Sequence, residues 1–132
     1  MINELNLKSK KYRVYKSEIG DLYLFDNYVI TNFNEGVDLN YANFYEAGLE
    51  IRNHFMDKPF GYIANRNNSY SINLHDVTIF NKAFPNLKAY AIVTYNTLTE
   101  RVFEIENHFF TSNRQAFKNI NDAIAWVEEI LS

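Results

Sequence analysis

The chain of 132 residues contains no cysteine, only two prolines and four glycines, and no long apolar run. Without cysteine there are no disulfides, no thiolate nucleophiles and no Cys-ligated metals. The glycines, at positions 20, 36, 48 and 61, are too dispersed to form a dinucleotide-binding or Walker loop. A membrane-spanning helix needs about 20 apolar residues, whereas the runs AYAIV and FGYIA have five each. We therefore expect no integral membrane association.

Positive charge is also scarce, because the formal net charge is -3. A general nucleic-acid binder needs a basic footprint to neutralise phosphates, so we expect no nucleic-acid partner. The lysines and arginine between positions 8 and 16 are predicted to line an edge strand, where such charges discourage pairing. The first residues lack the apolar core of a signal peptide. We predict a single cytoplasmic domain over 1–132, with 1–10 as a loose extension.

Aromatic residues are abundant, with 11 Phe and 10 Tyr, which favours a sheet-rich core. Residues 11–33 alternate with period two and are broken at Gly20-Asp21 and Asp26-Asn27, which predicts an antiparallel meander of three strands. Residues 40–55 repeat apolar side chains at helical spacing, with Asp38 or Asn40 as cap. Residues 60–64 are apolar at successive positions, as in an interior strand covered on both faces.

The second half alternates helices with strands. We predict a helix from Leu74 to Phe84 that Pro85 stops, and a buried strand over 87–95. Next comes a helix with Leu98, Val102, Ile105 and Phe109 on its inner face, begun by a Thr97–Glu100 capping box. A strand near 115–118 precedes a last helix capped by Asn121. Its predicted inner face consists of Ala123, Ile124, Trp126, Val127, Ile130 and Leu131. This order predicts an α/β fold with a mixed sheet and about four helices.

A search for catalytic machinery finds little. The histidines, His54, His75 and His108, have no metal-ligand spacing, and no serine lies in a Gly-x-Ser-x-Gly elbow. Asp76 next to His75 is interpreted as a cap at the positive end of a helix. We therefore predict no catalytic residue, no metal and no cofactor, and a non-enzymatic protein.

The densest polar stretch, residues 65–71, is the best candidate site. Its candidate binding or regulatory residues are Asn65, Arg66, Asn68, Ser69, Tyr70 and Ser71. In one interpretation Arg66 and the free amides of the next helix hold an anion. In the other, Asn68, Ser69 or Ser71 caps that helix and Arg66 pairs with a nearby carboxylate. Loops carry function more often than cores do, which favours this stretch as the functional one.

Three segments, YIANRNNSYS, AIVTYN and AFKNINDAIAWVEEIL, resemble the SpoIIAA-like group of small bacterial domains. These are relatives of the anti-sigma-factor antagonist (STAS) fold and are often mentioned beside CRAL-TRIO lipid-binding domains. The resemblance covers roughly residues 12–131 and implies a mixed sheet flanked by helices, with a role in binding or regulation. It also maps the switch serine of phosphorylatable STAS domains onto Ser69 or Ser71. The usual Asp-Ser-Ser/Thr-Gly pattern is replaced here by Asn-Ser-Tyr-Ser, which argues against a phosphoswitch.

Two functions follow as expectations. The first is an interaction or regulatory module that presents the 65–71 loop to a protein partner. The alternative is a binder of a small anionic or lipid-like ligand at the same loop and helix start, with aromatic side chains lining an apolar pocket. A hydrolase using Ser69 or Ser71 as nucleophile is a third reading, and His75 is the base nearest to them in sequence.

Overall fold

The structure is a computed structural model that describes residues 10–132, so most of the predicted extension over 1–10 lies outside the described residues. This range contains eight strands and four helices. The strands are β1 Arg13–Ser17, β2 Gly20–Leu24, β3 Tyr28–Phe33, β4 Asp38–Leu39, β5 Phe60–Arg66, β6 Ser71–Ile72, β7 Leu87–Thr94 and β8 Arg114–Phe117. The helices are α1 Tyr41–Phe55, α2 Val77–Ala83, α3 Thr97–Glu106 and α4 Ile120–Leu131.

A six-stranded mixed sheet organises the fold in the order β1-β2-β3-β5-β7-β8. The pairs β1–β2 and β2–β3 are antiparallel, which confirms the predicted meander, and the remaining neighbours are parallel. The first reversal falls at residues 18–19 rather than at Gly20-Asp21, and Gly20 instead begins β2 with φ 139°. A side chain there would overlap the backbone of Asn32 and Phe33, so this position requires glycine.

The sheet separates two hydrophobic clusters, because alternate residues of each strand point to opposite faces. One face packs against α1, α2 and Phe103 of α3. The other face packs against α4, which contributes Ile120, Ala123, Ile124 and Val127. Every residue of β5 is buried, and the strand lies between β3 and β7. The prediction of an interior strand over 60–64 is confirmed.

Asparagine side chains cap three of the helices. Asn40 caps α1 as predicted, and its side chain accepts a hydrogen bond from the Asn43 amide. The predicted caps Thr97 and Asn121 are wrong. Asn96 and Asn119 hold those positions, and their side chains accept from the amides of Thr99 and Asp122. Both have the extended backbone that an N-cap requires, whereas Thr97 and Asn121 already lie inside helices.

The predicted inner face of α3 is also wrong. Leu98, Ile105 and Phe109 are 68%, 58% and 47% exposed. Phe103 and the carboxylate of Glu106 point inward instead. On α4 the predicted inner face is correct for Ile124 and Val127, but Ile130 is 41% exposed. The orientation of α3 is electrostatic in origin, because Glu106 pairs with two buried arginines, Arg66 and Arg114.

The 65–71 stretch does not open a helix. Asn65 and Arg66 end β5, and Ser71 begins β6, which pairs in parallel with β4. A 3-10 turn over Leu74–Asp76 then precedes α2. Asp76 makes no side-chain cap of α2, and its carboxylate accepts from the first amide of α1, that of Tyr41. The predicted delivery of the polar stretch to a helix start is therefore wrong, because an unpredicted two-stranded sheet intervenes.

Packing of α4 on β5 predicts a steric limit at Gly61. A methyl group there would overlap Val127 Cγ1. We expect Gly61→Ala to lower the free energy of unfolding by about 1–3 kcal/mol through overpacking. In urea denaturation, adding Val127→Ala should relieve part of this loss, so that the double variant loses less than the sum of the single losses. Strict additivity would contradict this contact.

Candidate functional site

Residues 68–71 are hydrogen-bonded to the end of β3 and to the segment that follows it. The Gly36 amide donates to the Ser69 carbonyl at 2.7 Å, and the Ser71 amide donates to the Val37 carbonyl at 2.9 Å. The Asn68 side chain donates to the Phe33 carbonyl at 2.9 Å. These bonds hold the second half of the loop against neighbouring backbone. The loop is therefore a structural connection rather than a freely presented segment.

Two carboxylates stand beside the serines of this loop. Glu35 accepts from the Ser69 amide at 2.8 Å, and Asp38 accepts from the Ser71 hydroxyl at 2.7 Å. Ser69 and Ser71 are exposed. A phosphate on either serine would face a neighbouring negative charge, which is unfavourable for an ordered phosphorylated state. Asn68, Ser69 and Ser71 do not cap α2.

Three of the candidate residues, Asn65, Arg66 and Tyr70, are buried rather than presented. Asn65 donates to the Asn32 side chain and accepts from the Tyr95 hydroxyl at 2.6 Å. Arg66 donates to Glu106 Oε1 at 2.7 Å and to the Tyr70 carbonyl at 2.9 Å. Its guanidinium also lies 4.4 Å from the centre of the Tyr70 ring. The sequence-based pairing of Arg66 with a carboxylate is confirmed, although the partner is 40 residues away.

A second arginine approaches the same carboxylate. Arg114 Nη2 lies 3.4 Å from Glu106 Oε1. The side chains of Arg66, Glu106 and Arg114 are 2%, 4% and 0% exposed. Burial alone would lower the pKa of Arg66, but the nearby Tyr70 and Glu106 outweigh this effect and raise it. The Arg66 guanidinium therefore stays charged, and the contacts of the cluster join the end of β5, the end of α3 and the start of β8.

An apolar pocket of about 210 Å³ lies on the same face of the sheet. Its lining includes six aromatic rings, those of Phe44, Tyr62, Phe80, Phe84, Tyr90 and Phe110. Leu39, Ile72 and Leu87 complete the apolar wall. The cavity lies over the middle of β5 and β7, beneath α2, rather than beyond the carboxyl ends of the strands. It is a preformed concave site of the kind that small molecules occupy.

The pocket opens beside α2. Its most exposed lining residues, Pro85 and Thr111, mark the opening, next to Asn81 and Ser112. Asn81 ties α2 to the segment after α3, because it donates to the Phe109 carbonyl and accepts from the Thr111 amide, both at 3.1 Å. The rim of the pocket is thus polar and held in place by hydrogen bonds, whereas its interior is aromatic.

Two tyrosines form the wall of the pocket on the sheet. The ring centres of Tyr62 and Tyr90 are 4.9 Å apart. Burial raises the pKa of Tyr62 well above its usual value, and the neighbouring Tyr90 and Tyr70 act in the same direction. Burial also raises the pKa of Tyr70. Tyr62 and Tyr70 are therefore neutral phenols at physiological pH and contribute no negative charge.

The architecture is similar to that of a solved protein structure. A crystal structure of an uncharacterised protein of the DUF3478 family from Shewanella loihica, with a SpoIIAA-like fold, superimposes with a TM-score of 0.55. The match covers 93% of this chain and 97% of the other, at 14% sequence identity. The chain has the SpoIIAA-like fold. No family model and no curated protein matches the sequence.

At this low identity the comparison establishes the SpoIIAA-like fold and no binding site. In residues 10–132, every helix is too short or too polar to cross a bilayer. The fold supplies the parallel strands β5 and β7 whose tyrosines floor the pocket. The aromatic pocket, rather than the 65–71 loop, is the accessible concave site identified on this face.

Sequence reasoning missed Glu106 and Arg114. It proposed an apolar pocket lined by aromatic side chains, but it placed that pocket at the 65–71 loop and identified none of the lining residues. Glu106 was hidden because an apolar periodicity search selects the Leu98 face of α3 and treats carboxylates as solvent-facing. Arg114 begins a short strand and carries no motif. The signal that was available is that Phe103, Glu106 and Phe110 also share a helical spacing, with a carboxylate among aromatic residues.

The buried charge cluster predicts an asymmetric response to substitution. Glu106→Gln leaves two buried guanidinium groups without their carboxylate, and we expect a loss of about 3–5 kcal/mol in the free energy of unfolding. Arg114→Met keeps a side chain of similar length and leaves Arg66 paired with Glu106, so the loss should be clearly smaller. Urea denaturation of both variants provides the measurement. A loss for Arg114→Met equal to that of Glu106→Gln would show that the charge balance does not matter.

Proposed function

We propose that this protein is a non-enzymatic binding domain that holds a small, mostly apolar molecule in the aromatic pocket. The observation that carries the proposal is the cavity of about 210 Å³ lined by six rings. A well-packed interior contains few voids larger than a water molecule. An apolar cavity of about 150 Å³ is known to stay dry and to bind benzene. The pocket is thus large enough for a mono- or bicyclic ring or a medium-length acyl chain.

The character of the walls supports an aromatic or acyl ligand. Aromatic rings bury large areas and pack edge-to-face against other rings. The pocket already shows this arrangement, with Phe44 and Phe80 at 74° and Tyr90 and Phe110 at 81°. The polar rim of Asn81, Thr111 and Ser112 offers hydrogen bonds to a polar end of the ligand. The pocket lies beneath α2, and no residue of the 65–71 loop is part of its lining.

Ligand binding can be detected without knowing the natural compound. A panel of mono- and bicyclic aromatic compounds and medium-chain acids and alcohols would be screened by thermal denaturation. A ligand that binds only the native state raises Tm in a concentration-dependent way. Native mass spectrometry of the purified protein would reveal a retained compound. If no panel member raises Tm and the protein carries only its own mass, the proposal is wrong.

A bulky side chain that fills the pocket should weaken ligand binding. Leu87→Trp places a large ring in the cavity, and we expect the affinity for any hit from the panel to fall at least about tenfold by isothermal titration calorimetry. Lys88→Trp is the matched control, because Lys88 is exposed and adjacent but does not line this pocket. Equal loss of affinity in both variants would locate the ligand elsewhere.

A second candidate function, interaction with another protein, is favoured by the outward apolar face of α3. Leu98, Ile105 and Phe109 lie on one side of this region and are each about half exposed or more. Exposed apolar groups that form a contiguous patch often mark interfaces. This face, rather than the internally bonded 65–71 loop, is the better surface for such a partner.

The interaction hypothesis predicts that the double variant Leu98→Ser, Ile105→Ser loses a partner while the fold is retained. Its free energy of unfolding should change little, because both side chains are solvent-exposed. Light scattering across a concentration series would detect self-association, and affinity purification would detect other proteins. Ser69→Ala, in the loop, is the control. Identical complexes for the wild type and the double variant would count against this surface.

A further inference from the structure

The charge cluster behind the pocket is unbalanced. Arg66 and Arg114 share the carboxylate of Glu106, at 2.7 and 3.4 Å. Two guanidinium groups and one carboxylate carry a formal charge of +1, and all three side chains are almost completely buried. Tyr62 and Tyr70, which lie nearby, are neutral. A buried charge is unfavourable unless it is paired, so the site favours a further negative charge.

Arg114 carries the unmatched part of this charge. Its Nε and Nη1 have no hydrogen-bond partner among the residues that the structure describes. The rings of Phe110, Tyr90 and Phe103 surround the guanidinium, with centres 4.2, 4.5 and 5.1 Å from Cζ. Such cation–π contacts stabilise the charge. They do not replace the acceptors that guanidinium donors ordinarily find.

Only one layer of rings separates Arg114 from the apolar pocket. Tyr90 and Phe110 each contact the guanidinium and also line the cavity. Tyr90 is fixed in β7, whereas Phe110 belongs to the irregular segment between α3 and β8 and is half-buried. Rotation of the Phe110 side chain would open the pocket towards Arg114. The Phe110 ring thus lies between an apolar cavity and a cation.

We propose that the pocket selects an apolar molecule bearing a carboxylate, whose oxygen accepts hydrogen bonds from the free Arg114 donors while its apolar body fills the cavity. This inference rests on the proposed function, since it concerns the ligand of the same pocket. A carboxylate would neutralise the excess charge of the cluster and satisfy Nε or Nη1. Charge-assisted hydrogen bonds of this kind are about twice as strong as neutral ones.

The test compares each acid with its neutral amide of nearly the same shape. Isothermal titration calorimetry at neutral pH would measure 2-naphthoate against 2-naphthamide, and octanoate against octanamide. We expect at least one acid to bind about tenfold more tightly than its amide, because the extra stabilisation from a hydrogen bond to a charged group corresponds to roughly tenfold in affinity. Equal affinities would overturn the inference and leave the proposed function intact. If neither acid binds, the inference is overturned, whereas the proposed function is wrong only if no other member of the panel binds either.

Substitutions of two arginines test which cation causes the preference for the acid over the amide. Arg114→Gln should remove the preference for the acid, lowering its affinity about tenfold while the affinity of the amide changes little. Arg101→Gln is the matched control, because it removes the same charge from the exposed surface of α3 and should keep the preference. A preference that survives in Arg114→Gln would overturn the assignment to Arg114. If that variant does not fold, Arg114→Met serves in its place, and the wild-type comparison of acid and amide remains decisive.

Discussion

The contact between Arg66 and Glu106, 2.7 Å long and closed off from solvent, joins parts of the chain that are 40 residues apart. Arg66 also donates to the Tyr70 carbonyl and so holds the turn that follows β5. That turn is bonded in its own right to the segment after β3. Because an unpaired buried ion is very unfavourable, α3 must present Glu106 inward. The small β4–β6 sheet, the start of β8 and the orientation of α3 are all arranged around this contact.

The same constraint accounts for the outward apolar face of α3. A ten-residue helix that turns Glu106 to the interior must turn Leu98 and Ile105 to solvent, since these lie on a different side. Phe103 remains in the core and covers the charged groups. Electrostatics therefore overrides the apolar periodicity in this helix, and hydrophobic surface becomes available for a partner as a consequence.

Aromatic residues serve two purposes at the centre of the molecule. Tyr90 and Phe110 shield the Arg114 guanidinium and at the same time form the pocket wall. A ring can do both because its faces are polarisable and weakly negative while its bulk is apolar. An apolar cavity and a buried cation thus become neighbours across a single layer of side chains. This juxtaposition gives the pocket chemical character beyond its shape.

Local patterns determined the order of the helices and of the six strands of the main sheet, the opening meander, the Asn40 cap and the interior position of β5. Periodicity and turn chemistry suffice for these features because they act between residues close in sequence. The predicted N-caps Thr97 and Asn121 were wrong, because an asparagine one or two positions earlier has the extended backbone of a cap. The inward face of α3, the burial of Arg66 and the pocket were decided by tertiary structure alone. Each depends on charges and rings brought together from distant segments. The spacing of Phe103, Glu106 and Phe110 marks one side of α3, but it does not identify the distant arginines that Glu106 meets.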